Sequence, residues 1–286
     1  MSIISIIDST LRDGGYLNNW QFDNVFQYKA MKALINSNVD IIECGFISEN
    51  TGNDAQGTNF KSIERVNTLL KAYKLNNSKS KFAIMTKIDE YNPDNLPYCN
   101  KIENTVSIIR VMIYKNEIEK AFSVLQKIIE KGYELHIQPT IISHYTDEEI
   151  VNMLNYFRDI NYHAISIVDT FGALKEKDIK RITMLFDKYT NKNAKLSIHC
   201  HDNMSLAYQN SITFTNSIMS NRDVYVDCSI GGIGRGAGNL PTEFMITWLK
   251  NEKNMRYLVS PVKNFCNKEF KTLNKNIKDS DYYAFN

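Results

Sequence analysis

Residues 3–15 read Ile-Ile-Ser-Ile-Ile-Asp-Ser-Thr-Leu-Arg-Asp-Gly-Gly. The run Ile3–Ile7 has the β-branched character of a strand, and it passes directly into a polar turn that ends in two glycines. The same unit returns along the chain. Asp40–Gly45, Lys81–Thr86, Val106–Ile113, Glu134–Ile142, Ala164–Asp169, Lys195–His201 and Val224–Ile230 are the other strand-like runs. Amphipathic segments lie between them. Phe60, Ile63, Val66, Leu70 and Tyr73 are spaced 3-3-4-3; Ile118, Phe122, Leu125 and Ile129 are spaced 4-3-4; Ile150, Met153, Leu154 and Phe157 are spaced 3-1-3. Such spacing puts apolar side chains on one stripe of a helix.

Strands alternating with helices predict an α/β fold with a parallel sheet and right-handed crossovers. Eight such units in 286 residues fit a closed (β/α)8 TIM barrel, typically of about 250 residues, better than an open doubly wound sheet. The third unit is the weakest, because Asp89–Asn100 carries Pro93 and Pro97 and reads as a short helix in a loop. Residues 1–250 are assigned to the barrel and 251–286 to a short C-terminal helical extension. That extension is either an extra helix packed under the barrel or the start of a further domain.

Composition narrows the function. Lys plus Arg total 34 against 32 for Asp plus Glu, a net charge of +2, which falls short of the basic footprint of a nucleic-acid binder. With 43% hydrophobic and 23% charged residues, the chain is neither disordered nor a small disulfide scaffold. No stretch reaches the roughly 18–20 apolar residues that span a bilayer, and the start has no basic segment of a signal peptide. Neither nucleic acid nor membrane is expected as a partner. The five cysteines, Cys44, Cys99, Cys200, Cys228 and Cys266, are odd in number and never in CxxC spacing. A reduced, cytoplasmic compartment without a thiolate zinc site is expected.

In a parallel barrel the active site sits at the C-terminal ends of the strands, and the polar residues collect there. Asp8, Arg12 and Asp13 follow the first strand, Glu43 ends the second, Asp169 and Thr170 end the sixth, and His199 and His201 end the seventh. Residues i and i+2 of a strand face the same side, so both imidazoles can point into the barrel while Cys200 points out. Two imidazoles with a carboxylate suit a divalent metal with open positions. Asp13 is the natural carboxylate, since the loop after the first strand neighbours the rim where the seventh and eighth strands end. Gly231-Gly-Ile-Gly-Arg-Gly-Ala-Gly-Asn239 follows the eighth strand and precedes a helix starting near Pro241. It lacks both the P-loop pattern and a dinucleotide fingerprint.

The motifs Thr10-Leu-Arg-Asp-Gly14, Ile42-Glu43, Asp169-Thr170, His199-x-His201 and Gly236-Ala-Gly-Asn239 together resemble the DRE-TIM metallolyases. That superfamily holds hydroxymethylglutaryl-CoA lyase, the isopropylmalate and homocitrate synthases and 4-hydroxy-2-oxovalerate aldolase. The resemblance runs from about residue 3 to residue 250 and is strongest to the aldolase branch. It implies that Asp13, His199 and His201 hold the cation, with Asn239 as a further ligand or close support. It also implies that Arg12 stabilises an enolate and that Glu43 orients Arg12 or the substrate; the plainer reading of Glu43 is a salt bridge at the barrel rim. Thr170 would bind the substrate carboxylate or serve the structure alone. The implied activity is a divalent-metal-dependent aldolase that makes or breaks a carbon–carbon bond through a metal-bound enolate of pyruvate or a related 2-oxo acid. Mn²⁺ is the first choice of ion, with Mg²⁺ and Co²⁺ as alternatives, and an aldehyde is the second partner. A homo-oligomer, most simply a dimer, is expected.

The sequence departs from that pattern in three places. Tyr16 stands where the best-known aldolases carry a histidine, so the proton-transfer residue is either Tyr16, if its phenol is lowered by a nearby metal, or His144. The glycine loop has Arg235 and no cysteine; Arg235 either faces an anionic second substrate or is solvent-exposed. The chain also ends before the long C-terminal domain with which bacterial aldolases dock an aldehyde dehydrogenase, so no such channelling partner is expected. Three other readings compete. A Claisen-type acyl transferase using acetyl-CoA is opposed by Gly14-Gly15-Tyr16 in place of Gly-Glu-Gln. A Schiff-base aldolase would use Lys87. A metabolite sensor without catalysis would have no need of the full residue set.

Overall fold

The computed structural model describes residues 2–51, 57–75, 78–99 and 105–273. Its strands are β1 (Ile4–Asp8), β2 (Ile41–Ile47), β3 (Asn59–Phe60), β4 (Lys81–Lys87), β5 (Val106–Ile113), β6 (Glu134–Pro139), β7 (Ala164–Asp169), β8 (Lys195–Cys200) and β9 (Val224–Cys228). They run in the order β1-β9-β8-β7-β6-β5-β4-β2, and the pairing of β1 with β2, Ile7 opposite Ile41, closes the ring. All pairs are parallel, so the chain folds as a (β/α)8 barrel. The two-residue β3, which the sequence reading did not contain, lies outside the ring and extends the upper end of β2.

The helices are α1 (Thr10–Asp13), α2 (Asn24–Asn36), α3 (Ile63–Ala72), α4 (Ile118–Glu130), α5 (Asp147–Tyr156), α6 (Glu176–Tyr189), α7 (Ala207–Ser217), α8 (Thr242–Lys253) and α9 (Val259–Leu273). Local sequence explains where they begin. α5 starts at Thr146, whose hydroxyl accepts from Glu149 N while the Glu149 carboxylate accepts from Thr146 N, a reciprocal cap that satisfies two end donors. Between β4 and β5 the described residues hold only the 3-10 turn Pro93–Asn95, as the two prolines of that stretch foretold; Asn100 lies outside the described residues.

Two helical stripes differ from the expected ones. Phe60 belongs to β3 rather than to α3. On α4 the buried face is Ala121, Leu125 and Ile128, and Phe122 is 41% exposed. The small Ala121 allows the helix to lie close to the barrel, which turns the larger Phe122 outward.

The pleat sorts the barrel interior into layers. Ile7, Ile41, Ala83, Ile108, Ala164 and Tyr225 form an apolar plug. Two residues further along their strands, on the same face, stand buried Glu43, Arg110, Ser166 and Asp227. One pleat higher again, Met112, Val168 and His199 reach the mouth and line its cleft.

α9 lies along the flank of the barrel, not beneath it. Leu258 N donates to Ser37 O at the foot of α2 (3.2 Å), and Phe265 and Phe270 meet Phe26 near its head, with ring centroids 5.3 and 6.3 Å away. Residues 274–286 of the expected extension lie outside the described residues. Among the described residues no helix is long and apolar enough to cross a membrane.

The face of α4 is open to direct test. Leu125→Ala should cost about 2–5 kcal/mol, as a truncation in a packed core does, whereas Phe122→Ala should stay within about 1 kcal/mol. Chemical denaturation with matched slopes measures both; equal losses would contradict the placement of α4.

Candidate metal centre

α1 is a single turn at the mouth of the barrel, and it sets Arg12 and Asp13 side by side with both side chains buried. Asp8, the last residue of β1, does not enter the cleft. It accepts from Thr10 N (3.0 Å) and Thr242 Oγ1 (2.6 Å), which ties α1 to the start of α8. Burial pushes its carboxyl up to about 6 against those hydrogen bonds. On β8 the alternation works as the sequence predicts: the His199 and His201 rings lie 5.0 Å apart, edge to face. Cys200 points the other way, toward Ser211 of α7.

The glycine loop folds back over this group. His201 and Asn239 form an antiparallel bridge, and Asp202 N donates to Gly238 O at 2.8 Å. Asn239 Nδ2 thereby reaches Asp13 Oδ2 at 2.5 Å. The approach requires glycine at 234, where a Cβ would stand 2.3 Å from Asn239 Nδ2 and 2.7 Å from Asp13 Oδ2.

One donor atom each from Asp13, His199 and His201 lies within 4.8 Å of the others. Asp13 Oδ2 is 3.8 Å from His199 Nε2 and 3.9 Å from His201 Nε2, too far for hydrogen bonds and close enough for one ion to touch all three. The far nitrogens face oxygens: His201 Nδ1 is hydrogen-bonded to Arg235 O at 3.1 Å, and His199 Nδ1 lies 3.2 Å from Asp227 Oδ2, close but outside hydrogen-bond geometry. A carbonyl oxygen only accepts, so His201 Nδ1 carries the proton and its Nε2 turns a lone pair inward. Both ring nitrogens of His199 and Asn239 Oδ1 are buried without a hydrogen-bond partner. Oxygen and imidazole donors with orphaned atoms among them fit a divalent cation.

The electrostatics agree. Burial would raise the Asp13 carboxyl, but Arg12, the two histidines and Asn239 hold it well below the usual carboxylate range. Burial pushes His201 down to about 4 despite the pull of Asp13, so its ring is neutral near pH 7 and free to ligate. Arg12 donates through Nη1 to Asp13 Oδ1 (2.6 Å) and through Nε to Glu43 Oε2 (2.8 Å). Glu43, on β2, is fully buried beside this arginine.

These groups floor a cleft of about 410 Å³, counting its open mouth, with Met85, Met112 and Val168 as apolar wall and Gln138, Thr140 and Thr170 as polar wall. The Thr170 hydroxyl accepts from Ile141 N at 2.8 Å, so its own proton is available to a ligand. Tyr16 and Arg235 form the rim, with the guanidinium 5.9 Å over the phenol ring. Trp20 packs this loop: its Nε1 donates to Arg12 O (2.9 Å), and a Cβ at Gly15 would lie 2.1 Å from its indole.

Burial raises the Tyr16 phenol, with Arg12 pulling the other way. Two expectations change. His144 is exposed on the turn Ile142–His144, 5.5 Å from the Phe171 ring, and does not line the cleft. Lys87 also stays outside the cleft lining and pairs with Glu90, which outweighs partial burial and keeps its amine charged, unlike a Schiff-base nucleophile. Sequence reasoning missed Asp227, which holds His199, and Arg110, which pairs with Asp227. The signal was a charge inside an apolar strand, in Val224-Tyr-Val-Asp-Cys228 and in Val106-Ser-Ile-Ile-Arg-Val-Met-Ile113.

The HMGL-like family profile matches residues 3–269. A 2-isopropylmalate synthase from Rhodopirellula baltica is 23% identical over 267 residues, 88% of this chain and 47% of the synthase. A 4-hydroxy-2-oxovalerate aldolase from Carboxydothermus hydrogenoformans is 26% identical over 249 residues, 86% of this chain and 70% of the aldolase. The chain thus spans about half the length of the synthases it matches. Among solved structures, the N-terminal domain of a candidate aldolase from Bacteroides vulgatus superposes with a TM-score of 0.80 at 26% identity, covering 95% of this chain and 87% of that one. Relatives thus include both aldolases and acyl-transferring synthases, and the chain belongs to the HMGL-like family, the DRE-TIM metallolyases.

Proposed function

We propose that this chain is a divalent-metal-dependent aldolase that makes or breaks a carbon–carbon bond beside the carbonyl of pyruvate or a related 2-oxo acid, with an aldehyde as the other partner. The observation that carries the reading is the set of three inward-facing donors, Asp13, His199 and His201, sharing their carboxylate with the Arg12 guanidinium on the floor of one cleft. The names of the aldolase relatives at 23–26% identity support the substrate class.

Asp13, His199 and His201 would hold the ion, with Asn239 beside it, and Mn²⁺ is the proposed ion ahead of Mg²⁺ or Co²⁺. Bound there, it would supply Lewis-acid polarisation of a carbonyl oxygen. Arg12 brings a fixed positive charge to where the enolate oxygen develops, and Glu43 prevents that guanidinium from swinging away. Thr170 donates to the substrate carboxylate. Tyr16, held protonated by burial, gives its proton to the aldehyde oxygen as the new bond forms and recovers it when the bond breaks. Arg235, beside it at the rim, attracts an anionic second substrate.

Similarity to the isopropylmalate synthases favours a second reading, acyl transfer from acetyl-CoA. The packing of Gly15 stands against it. The Trp20 indole occupies the space a glutamate of the synthase Gly-Glu-Gln pattern would need. Release of free CoA thiol on incubation with acetyl-CoA and 2-oxo acids would favour the synthase.

The direct test is exchange of the pyruvate methyl protons in D₂O, which reports enolate formation without knowledge of the aldehyde. Mn²⁺-loaded protein should catalyse exchange and EDTA should stop it; a parent protein inert with every divalent ion tried would refute the reading. Asp13→Ala and His199→Ala should keep the fold by circular dichroism yet lose both ion binding and exchange. Arg12→Ala should still bind Mn²⁺ while exchange falls by about 10²–10³-fold, the usual cost of removing one donor to a developing oxyanion. Full activity in Arg12→Ala would contradict the role given to that residue. Mn²⁺ at 100 times its Kd should stabilise the fold by about 2.7 kcal/mol, read as a raised Tm that Asp13→Ala does not show.

A further inference from the structure

Arg110 sits in the middle of β5 with no exposed surface. Its strand is four staves from β9 in either direction around the ring, so the two face each other across the barrel. The Arg110 guanidinium spans that interior. Its Nη2 donates to Asp227 Oδ2 on β9, and its Nη1 makes an ion-pair contact outside hydrogen-bond geometry, 3.1 Å from Glu43 Oε1 on β2. Each partner continues to the site. Asp227 Oδ2 is 3.2 Å from His199 Nδ1, Glu43 Oε2 accepts from Arg12 Nε at 2.8 Å, and Arg12 Nη1 reaches Asp13 Oδ1 at 2.6 Å. One circuit, Asp13–Arg12–Glu43–Arg110–Asp227–His199, therefore begins and ends on donors of the candidate centre, and no member is more than 5% exposed.

A circuit of this kind is a poor device for stability. Buried ion pairs recover their desolvation cost only in good geometry, and apolar replacements often fold as well. It is a good device for geometry. A guanidinium presents a rigid planar fork that serves two carboxylates at once, which the single point charge of a lysine cannot. The neighbour in register, His136, is kept neutral by burial and by Arg110 itself. Its three carboxylates, Asp13, Glu43 and Asp227, outnumber its two guanidiniums, Arg12 and Arg110, by one. One negative charge is left for a cation to offset.

We infer that Arg110 is a positioning residue that braces both halves of the site from across the barrel: His199 through Asp227, and Arg12 through Glu43. The inference rests on the proposed function for the meaning of the site, but metal affinity reads it without any substrate. Arg110→Lys and Asp227→Asn are titrated with Mn²⁺ by electron paramagnetic resonance and loaded with Co²⁺ for visible absorption, with thermal melting to establish that each is folded. Loss of a partner that orients a ligating histidine costs about 10–100-fold in metal affinity, and Asp227→Asn should fall in that range. Arg110→Lys touches no ligand, yet it should also weaken Mn²⁺ at least about tenfold, shift the Co²⁺ band and lower the exchange rate at saturating Mn²⁺. In the double variant the losses should not multiply, since both changes open the same circuit.

A folded Arg110→Lys protein with Mn²⁺ affinity within about twofold of the parent and an unchanged Co²⁺ spectrum would overturn the brace. Should that variant not fold, Arg110→Met/Asp227→Asn removes one charge of each sign and is judged by the same criterion. A parent that binds Mn²⁺ but exchanges no pyruvate protons would contradict the proposed reaction instead, leaving the brace to be judged on metal affinity.

Discussion

The Asp13 carboxylate has 1% of its surface exposed, and the rest of the site is arranged around that charge. Taking a carboxylate out of water costs several kcal/mol unless its surroundings replace the lost hydration. Here Arg12 holds one oxygen, Asn239 donates to the other, and two imidazole edges face it at 3.8 and 3.9 Å. Those partners come from the loop after β1, from β8 and from the glycine loop after β9. The charge can be accommodated only if the barrel closes and β1, β8 and β9 meet in the observed order. Fold and site are thus one requirement seen from two sides.

Strand geometry does most of the positioning. A period of two puts Ile41, then Glu43, on the inner face of β2 and Ile108, then Arg110, then Met112, on that of β5. An apolar plug, a charged layer and a cleft floor therefore follow from the pleat alone. The charged layer is shielded from water below by the plug and above by the side chains of the cleft. Low dielectric makes its few contacts directional and strong, which is what a site that must hold donors at fixed spacing needs.

Much of this was legible in the residues themselves. Parallel strands covered by helices on the outer face read as short apolar runs, so all eight staves stood out, and polar residues at their C-terminal ends marked the mouth. His199 and His201 could be aimed because alternation on a strand leaves them no choice. The limits were physical as well. A strand buried on both faces does not disclose which face looks inward, so nothing in the sequence paired Arg110 with Asp227 across the barrel. The stripe on α4 was misjudged because Ala121, fully buried on its inner face, is too small to weigh in a hydrophobic pattern. His144 followed a strand in sequence as an active-site residue would, yet the turn after β6 carries it to the surface, since Ile141 bends with φ of 57° and ties its N–H to Thr170. The pKa direction of Tyr16 depends on how deeply its loop is buried, which no local spacing encodes.

On this reading the first strand's loop and the paired imidazoles at the end of β8 form one cation site. An anomalous difference map at the manganese absorption edge, from crystals grown with Mn²⁺, tests it most directly. One peak is expected among Asp13 Oδ2, His199 Nε2 and His201 Nε2. A map with no density there, and those side chains turned away from one another, would contradict it.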